Sequence, residues 1–334
     1  MKKFWLMVCL LGLMFKLNAQ PVPYPYPKTL TVAQDGSGNY KTIQEAVNAV
    51  RDLSQEKVII NIKKGIYHEK LVIPSWKINI SLAGEDRENT IISNNNYSGQ
   101  NLPNGKDASG RTQFNTYTSY TVLVQGRDFS AENLTIENTA GRVGQAVALH
   151  VEGDRCSLKN CKLLGNQDTL YAGVESSRQF YQDCMIAGTT DFIFGEATVV
   201  FLHCTIKSLA NSFITAASTT PRQKFGFVFL SCTLMASAAT KVYLGRPWRP
   251  FANTVFIGTK MGSQILPAGW DPWVNPAKVD NTKTAFYAEY QSSGLGGNVK
   301  ERVKWSHQLT AHQAEVYTIK NIFAGKDGWN PLKN

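Results

Sequence analysis

Lys159-Asn160-Cys161-Lys162-Leu163 is one of several short stretches in which a cysteine stands two residues before an aliphatic side chain. Three further stretches keep the cysteine and one replaces it with leucine: Gln182-Asp183-Cys184-Met185-Ile186, Leu202-His203-Cys204-Thr205-Ile206, Leu230-Ser231-Cys232-Thr233-Leu234 and Glu132-Asn133-Leu134-Thr135-Ile136. In chain order, the central residues are 27, 23, 20 and 28 positions apart. Imperfect periods of this length around short strands indicate a solenoid in which each repeat forms one coil.

The repeats alternate apolar and polar residues in the manner of β-strands, as in Val58, Ile60 and Ile62. Long helical periodicity is missing between these strands, which argues against βαβ units and a doubly wound sheet. A stack of strand-built coils is a parallel β-helix, in which equivalent residues lie about 4.8 Å apart. We therefore predict an all-β fold whose cysteines form an inward row of small apolar side chains, rather than disulfides or a zinc site.

One helix is predicted at the N-terminal end of the solenoid. Thr42-Ile43-Gln44-Glu45 has the pattern of a capping box, and apolar side chains then fall on one face at Ile43, Ala46, Val47 and Val50. A helix there would cover the open end of the solenoid and its unpaired strand edges. Residues 93–117 are polar and rich in glycine and asparagine, so we expect a loop over one face.

The first residues have the pattern of a secretory signal peptide. Lys2 and Lys3 precede an apolar run over residues 4–15, and Leu17-Asn18-Ala19 ends in a small residue. A membrane anchor is the alternative, but the run is shorter than the about 20 residues that a span needs. We predict a signal peptide over residues 1–19, one β-helix domain over residues 20–334, and an exported protein, periplasmic or extracellular, with no membrane span.

The charge of the chain favours an acidic partner. The formal net charge is +10, which suits an acidic polymer, and nucleic acid and polyuronate are the two candidates. No dense run of lysine and arginine and no nucleic-acid-binding motif occurs, so we expect no nucleic-acid partner.

Three polar residues, Gln145, Asp168 and Asp191, are separated by equal steps of 23 residues. If a coil has that length, Asp168 and Asp191 lie on neighbouring strands. Carboxylates that close repel each other and persist only if one is protonated or a cation is near. Spacing alone leaves two interpretations open, a solvated ladder of acidic turn residues and a pair that performs chemistry.

The sequence around these positions resembles the pectin methylesterases, also called pectinesterases, and in particular their bacterial secreted type. The matching stretches are Asp35-Gly36-Ser37-Gly38-Asn39-Tyr40, Gly65-Ile66-Tyr67-His68-Glu69, Gln145-Ala146-Val147-Ala148-Leu149, Gln167-Asp168-Thr169-Leu170-Tyr171, Asp191-Phe192-Ile193-Phe194-Gly195, Tyr243-Leu244-Gly245-Arg246-Pro247-Trp248, Ala285-Phe286-Tyr287-Ala288-Glu289-Tyr290 and Gly328-Trp329-Asn330-Pro331. The resemblance implies a right-handed, single-stranded parallel β-helix with an N-terminal capping helix. It also implies hydrolysis of the methyl esters of homogalacturonan by a monomer that needs no metal and no cofactor.

The same resemblance implies catalytic roles for five residues. Asp191 is the expected nucleophile, and Asp168 is the expected acid that later acts as a base. Gln145 and Gln167 are expected to stabilise the oxyanion through their side-chain amides, and Arg246 is expected to hydrogen-bond Asp191. This division is physically consistent, because an arginine lowers the pKa of a neighbouring aspartate and a neighbouring anion raises that of its partner.

Four further residues are expected to contact substrate. Trp248, Tyr171 and Phe194 would offer flat faces to sugar rings and an apolar seat to the methyl group, and Thr116 matches a substrate contact of the family. Without the motif, each aromatic side chain could equally belong to the core of the solenoid.

Other functions fit the sequence less well. No G-x-S-x-G stretch is present, which argues against a serine esterase. An inverting polygalacturonase could use two aspartates as acid and base, but two glutamines and an arginine suit an oxyanion better. A calcium-dependent lyase would need an acidic cluster that the sequence lacks, and a β-helical adhesin would not need Arg246-Pro247-Trp248. Hydrolysis of another ester, such as a thioester, stays open.

Overall fold

Three parallel sheets wind around a common core in the computed structural model, which describes residues 26–273 and 279–333. The predicted signal peptide, residues 1–19, lies outside the described residues. In these two stretches, no helix is long and apolar enough to cross a membrane.

The strands of each sheet are hydrogen-bonded to their neighbours in successive coils. Sheet A contains β1 (Thr29–Val32), β2 (Val58–Ile62), β5 (Ile80–Gly84), β8 (Ser130–Glu132), β11 (Cys156–Lys159), β14 (Arg178–Gln182), β17 (Thr198–Leu202), β20 (Phe227–Leu230), β23 (Asn253–Ile257), β25 (Phe286–Tyr290) and β26 (His307–Gln308). Sheet B contains β3 (Gly65–His68), β6 (Thr90–Asn94), β9 (Thr135–Asn138), β12 (Lys162–Leu164), β15 (Met185–Gly188), β18 (Thr205–Ser208), β21 (Thr233–Met235) and β24 (Lys260–Met261). Sheet C contains β4 (Leu71–Ile73), β7 (Val122–Val124), β10 (Leu149–Val151), β13 (Leu170–Ala172), β16 (Ile193–Gly195), β19 (Ser212–Ala217) and β22 (Val242–Pro247).

The register of sheet B confirms the repeat read from the cysteines. Its inward residues pair in the order Ile136, Leu163, Ile186, Ile206 and Leu234. Those partners are 27, 23, 20 and 28 residues apart, the same steps as the cysteine pattern. One repeat is therefore one coil, and the predicted parallel β-helix is observed.

A single left-handed residue makes the sharp turn from sheet A to sheet B in each of five coils. Its φ angle lies between 50° and 55°, and it is followed at once by the inward cysteine or leucine. The five residues are Asn133, Asn160, Asp183, His203 and Ser231. Asparagine and aspartate tolerate this conformation better than most side chains. The turn points the next side chain into the core, where Cys161, Cys184, Cys204 and Cys232 are free and buried, as predicted.

The N-terminal helix α1 (Ile43–Ala49) has the predicted capping box between Thr42 and Glu45. A second interaction joins it to the solenoid, because the Glu69 carboxylate accepts hydrogen bonds from the backbone N–H groups of Ile43 and Gln44 at 2.8 and 2.9 Å. The Gln44 side chain also pairs with both backbone groups of Val72 on the edge strand β4. The helix therefore covers the open end of the solenoid, as expected.

The C-terminal segment covers part of the outer face of sheet A, which the sequence did not predict. Two short helices, α2 (Ala311–Ala314) and α3 (Ile319–Ile322), lie in this segment. The outward row of sheet A is serine at Ser81, Ser130 and Ser157 and becomes apolar from Phe180 onward, where Ile322 and Phe323 pack against it. Asp327 ties the segment down through Arg155 and Arg178.

Irregular segments complete the fold. The polar stretch before residue 116 is a loop, as expected, and it leads into a 3₁₀ helix, η1 (Thr116–Thr118). Three more 3₁₀ helices are η2 (Asn281–Lys283), η3 (Leu295–Gly297) and η4 (Pro331–Lys333).

Candidate active site

The two aspartates lie side by side at the entry of sheet C. Asp168 and Asp191 each stand two residues before a strand, β13 and β16, and those strands pair Leu170 with Ile193. The backbone N–H of Asp168 donates to the carbonyl of Thr190 at 3.1 Å, so the same register reaches the aspartates. Both residues have left-handed backbones, with φ of 67° and 47°. Their side chains are predicted neighbours, and the register brings them together.

Gln145 pairs with Gln167 rather than with Asp168, although the equal steps of 23 residues suggested one continuous row. The reason is a bulge before β10, where the N–H groups of Ala148 and Leu149 both donate to the carbonyl of Thr169, at 2.9 and 3.1 Å. The extra residue shifts Gln145 by one position. The two glutamines are therefore adjacent to each other, and Gln167 directly precedes Asp168.

Arg246 holds the Asp191 carboxylate in a bidentate ion pair. Its Nε donates to Oδ1 at 3.0 Å and its Nη2 donates to Oδ2 at 2.7 Å. The guanidinium carbon lies 3.8 Å from the ring centroids of both Phe213 and Trp273. A planar guanidinium between two aromatic faces has little freedom to turn, so it fixes both the position and the charge of Asp191.

Burial and charge separate the two carboxyl groups. Burial, reinforced by the negative charge of Asp191, raises the pKa of Asp168 to about 8. Burial also raises the pKa of Asp191, but the hydrogen bonds and charge of Arg246 oppose that rise. The expectation that Arg246 leaves the pKa of Asp191 below its ordinary value is therefore wrong in its net direction, because desolvation outweighs the arginine. Asp191 still ionises before Asp168, whose carboxyl group has no ion pair among the described residues.

A cavity of about 340 Å³ opens above these groups. Its lining contains all five expected catalytic residues and three of the four expected substrate contacts, namely Gln145, Gln167, Asp168, Asp191, Arg246, Thr116, Phe194 and Trp248. Tyr171 is not among the lining residues. Its buried ring stacks on Phe194 at 4.8 Å and its hydroxyl donates to Glu196 at 3.3 Å. Tyr171 therefore supports the wall of the cavity from behind.

Three lining residues were missed by the sequence analysis: Tyr117, Ala216 and Trp273. Ala216 lies between Phe194 and Arg246 in the outward row of sheet C. Tyr117 lies one residue after Thr116, and its neighbourhood was the available signal. Trp273 belongs to no repeat, so nothing in the spacing indicates that it covers Arg246. In the described part of the chain, no group of three or more His, Cys, Asp or Glu side chains could hold a metal ion.

The arrangement has the parts that an acyl transfer needs. An aspartate that ionises first is aimed by an arginine, a second carboxyl group is protonated at neutral pH, and two side-chain amides lie beside them. A family model described as Pectinesterase matches residues 29–326. The chain belongs to the pectinesterase family.

Curated relatives in the pectinesterase family are plant proteins. The chain is 37% identical over 325 residues to "Probable pectinesterase/pectinesterase inhibitor 23" of Arabidopsis thaliana, with 92% of this chain and 54% of the relative covered. It is 38% identical over 290 residues to "Pectinesterase 31" of Arabidopsis thaliana, with 86% and 89% covered. The chain spans about half the length of the first group of curated relatives that it matches.

Solved structures of the pectinesterase family have the same fold. "Pectin methylesterase from Carrot" superposes with a TM-score of 0.79 at 36% identity, over 89% of this chain and 93% of that one. A pectin methylesterase mutant "in complex with hexasaccharide IV" superposes with a TM-score of 0.75 at 30% identity, over 90% and 98%. The predicted right-handed parallel β-helix is thereby confirmed.

Replacing Asp168 with asparagine should stabilise the protein at alkaline pH. Asp168 binds a proton in the folded state up to about pH 8, whereas an unfolded aspartate loses it near pH 4. The stability that the wild type has below pH 4 is lost as pH rises through 8, and Asp168→Asn avoids that loss. Thermal unfolding should show a Tm gain of a few °C for Asp168→Asn at pH 8.5 and almost none at pH 4.

The exposed turn variant Asp183→Asn is the control for this measurement, since Asp183 shares the left-handed backbone of Asp168. Its Tm should follow the wild type at both pH values. An Asp168→Asn gain that is equal at pH 4 and pH 8.5 would show that Asp168 does not have a raised pKa.

Proposed function

We propose that this protein is a carboxylic ester hydrolase that removes methyl groups from the galacturonate methyl esters of pectin, releasing methanol and pectate. The observation that carries the proposal is the bidentate Arg246–Asp191 pair beside a protonated Asp168 in one cavity. Membership of the pectinesterase family supports it, and so does the hexasaccharide complex of a solved relative.

The proposed first half-reaction forms an acyl-enzyme. The ionised Asp191 attacks the ester carbonyl carbon, and its own C–O bond to that carbon forms while the carbonyl π electrons move to oxygen. The side-chain amides of Gln145 and Gln167 donate hydrogen bonds to this oxyanion. The intermediate collapses, the bond to the methoxy oxygen breaks, and Asp168 gives its proton to the departing methanol. The product is an anhydride between Asp191 and the galacturonate.

The second half-reaction reverses the role of Asp168. Its carboxylate, now ionised, takes a proton from a water molecule as that water attacks the anhydride. The anhydride bond breaks, the galacturonate leaves as a free carboxylate, and Asp191 returns to its ion pair with Arg246. Asp168 ends protonated, ready for the next ester. A pKa near neutrality suits a group that must both give and accept a proton in each cycle.

The rival chemistry is cleavage of the glycosidic bond by the same two aspartates. That reaction develops positive charge on the sugar ring, so it gains nothing from two amide donors or from a guanidinium that holds the nucleophile. Within the described residues, neither glutamine side chain is hydrogen-bonded to another protein group, which leaves both amides available to an oxyanion. The arrangement therefore favours ester hydrolysis.

The binding surface for the polymer is proposed to include Thr116, Phe194 and Trp248. Phe194 and Trp248 meet edge to face, with ring centroids 6.0 Å apart, at the cavity wall. Tyr171 contributes by holding the Phe194 ring. Flat apolar rings beside the ionisable groups offer one surface to a sugar ring and its methyl ester and another to the catalytic carboxylates.

Export and domain organisation are part of the proposal. We infer a signal peptide over residues 1–19, a single domain over residues 20–334, and a monomer that works outside the cytoplasm. The core supports the single domain, because buried side chains continue without a break from Leu30 to Tyr287. A bacterial secreted type rests on the N-terminal pattern alone, since the curated relatives described above are plant proteins.

Replacing Asp191 with asparagine should abolish methanol release from methyl-esterified pectin. An amide is isosteric with the carboxylate but cannot form the anhydride, so kcat should fall below about a hundredth of the wild-type value. Methanol release and circular dichroism should be measured together with Asp183→Asn, which changes an exposed aspartate one coil turn away. An Asp191→Asn enzyme that keeps more than about a tenth of wild-type kcat would remove Asp191 from the role of nucleophile.

Replacing Arg246 with lysine should lower kcat by about two orders of magnitude and leave KM nearly unchanged. Lysine keeps the positive charge but lacks the planar fork that aims Asp191, and a group that acts on the nucleophile affects kcat. The neighbouring exposed Arg249→Lys is the matched control. A rise in KM alone that grows with the free-carboxylate content of the pectin would instead make Arg246 a clamp for the polymer.

A further inference from the structure

The wall of the active-site cavity opposite Arg246 is formed by residues 115–120, called the wall here. Thr116 and Tyr117 line the cavity from this segment. The Tyr117 ring lies edge-on to the Tyr171 ring with centroids 5.2 Å apart. Tyr117 is nevertheless 43% exposed, and the wall contains only one short 3₁₀ helix. Its own contacts do not explain why it stays in place.

A buried lysine from another coil holds the wall. Lys70 precedes the edge strand β4, and its Nζ donates to the backbone carbonyls of Thr118 at 2.6 Å and Tyr120 at 2.8 Å. The same Nζ lies 3.8 Å from the centroid of the Tyr120 ring and 5.0 Å from that of Phe114. One ammonium group thus joins both sides of the wall.

Lys70 has no carboxylate within ion-pair distance among the described residues. Burial lowers its pKa to about 7, while two carbonyl oxygens and two aromatic faces favour the charged form. A buried ammonium with these partners is costly to place and useful only for what it holds. Its acceptors are the two carbonyls that follow Tyr117, so the lysine fixes where the wall ends and sheet C begins.

The neighbouring contacts place the other catalytic groups outside the reach of Lys70. Ser119 is tied separately, since its Oγ donates to the carbonyl of Thr116 at 2.8 Å and accepts from the N–H of Val147 at 3.2 Å. Asp168, Asp191 and Arg246 belong to strands that Lys70 does not contact. Loss of Lys70 should therefore loosen the wall and leave the reacting groups in place.

We propose that Lys70 is a positioning residue that holds Tyr117 and Thr116 against the bound polymer and so sets the affinity for substrate rather than the rate of the chemical step. This inference rests on the proposed function. Lys70 does not touch substrate. It acts through the wall, and its contribution should appear in KM.

A double-mutant cycle between Lys70 and Tyr117 tests the proposal. At pH 6, Lys70→Met should raise KM for methyl-esterified pectin about tenfold and change kcat by less than about twofold. Tyr117→Ala should raise KM by a similar factor. The double variant should be no worse than Tyr117→Ala alone, because residues that act through one contact are not additive. Lys260→Met removes an exposed charge from sheet B and should behave as the wild type, which controls for attraction to an acidic polymer.

Hydrogen exchange gives a readout that does not depend on catalysis. Lys70→Met should speed exchange in peptides that cover residues 114–121 and leave those that cover residues 168–195 unchanged. Should Lys70→Met fail to fold, Lys70→Gln, which keeps one donor group, replaces it in both measurements. If the wild type releases no methanol, the proposed function fails, while exchange still decides whether Lys70 holds the wall.

Two results would overturn the inference. One is an unchanged KM in Lys70→Met, or effects of Lys70→Met and Tyr117→Ala on KM that multiply in the double variant. The other is unchanged exchange over residues 114–121. A fall in kcat with unchanged KM would also contradict it, since the lysine would then act on the reacting groups.

Discussion

Parallel stacking of coils about 4.8 Å apart is the constraint on which the rest of this structure depends. Each side chain meets its equivalent in the next coil, so a residue type that recurs at the same coil position becomes a continuous row. Inside the solenoid the constraint gives a row of free cysteines and a stack of aromatic rings, with Phe201, Phe229 and Phe256 at centroid distances of 4.4 and 4.3 Å. At the entry of sheet C it places one carboxyl group beside another.

Two adjacent carboxyl groups away from water cannot both stay ionised at little cost. The fold accommodates them by treating them differently. Asp191 receives a bidentate guanidinium between two aromatic rings, whereas Asp168 receives no cation and remains protonated at neutral pH. The raised pKa of Asp168 is a local loss of stability that the long hydrophobic core offsets. A nucleophile and an acid thus arise from the same residue type because only one of them lies next to Arg246.

The sequence predicts well those features that follow from the repeat. The steps between Cys161, Cys184 and Cys204 match the register of sheet B, and Asp168 and Asp191 are register neighbours as their spacing suggested. Prediction fails where the chain departs from the repeat. The bulge before β10 adds one residue and moves Gln145 beside Gln167, which no count of positions reveals.

Features that need three-dimensional information were also missed. Trp273 follows an irregular path before it covers Arg246, and Tyr171 is turned behind Phe194 by the packing of neighbouring rings. The net direction of the pKa of Asp191 depends on how deeply the carboxylate is buried, which its sequence neighbours do not show. Lys70 resembles any charged residue before a strand until the carbonyls of Thr118 and Tyr120 are seen around it.

The order in which the two aspartates ionise is the central claim, and carbon-13 NMR of labelled aspartate carboxyl groups measures it directly. Asp168→Asn and Asp191→Asn assign the two signals by loss of one resonance each. The account predicts that the Asp168 signal titrates near pH 8 and the Asp191 signal at a lower pH, and that Arg246→Lys brings the two titrations closer together. A titration of Asp191 above that of Asp168, or two signals that are both ionised at pH 6, would contradict it.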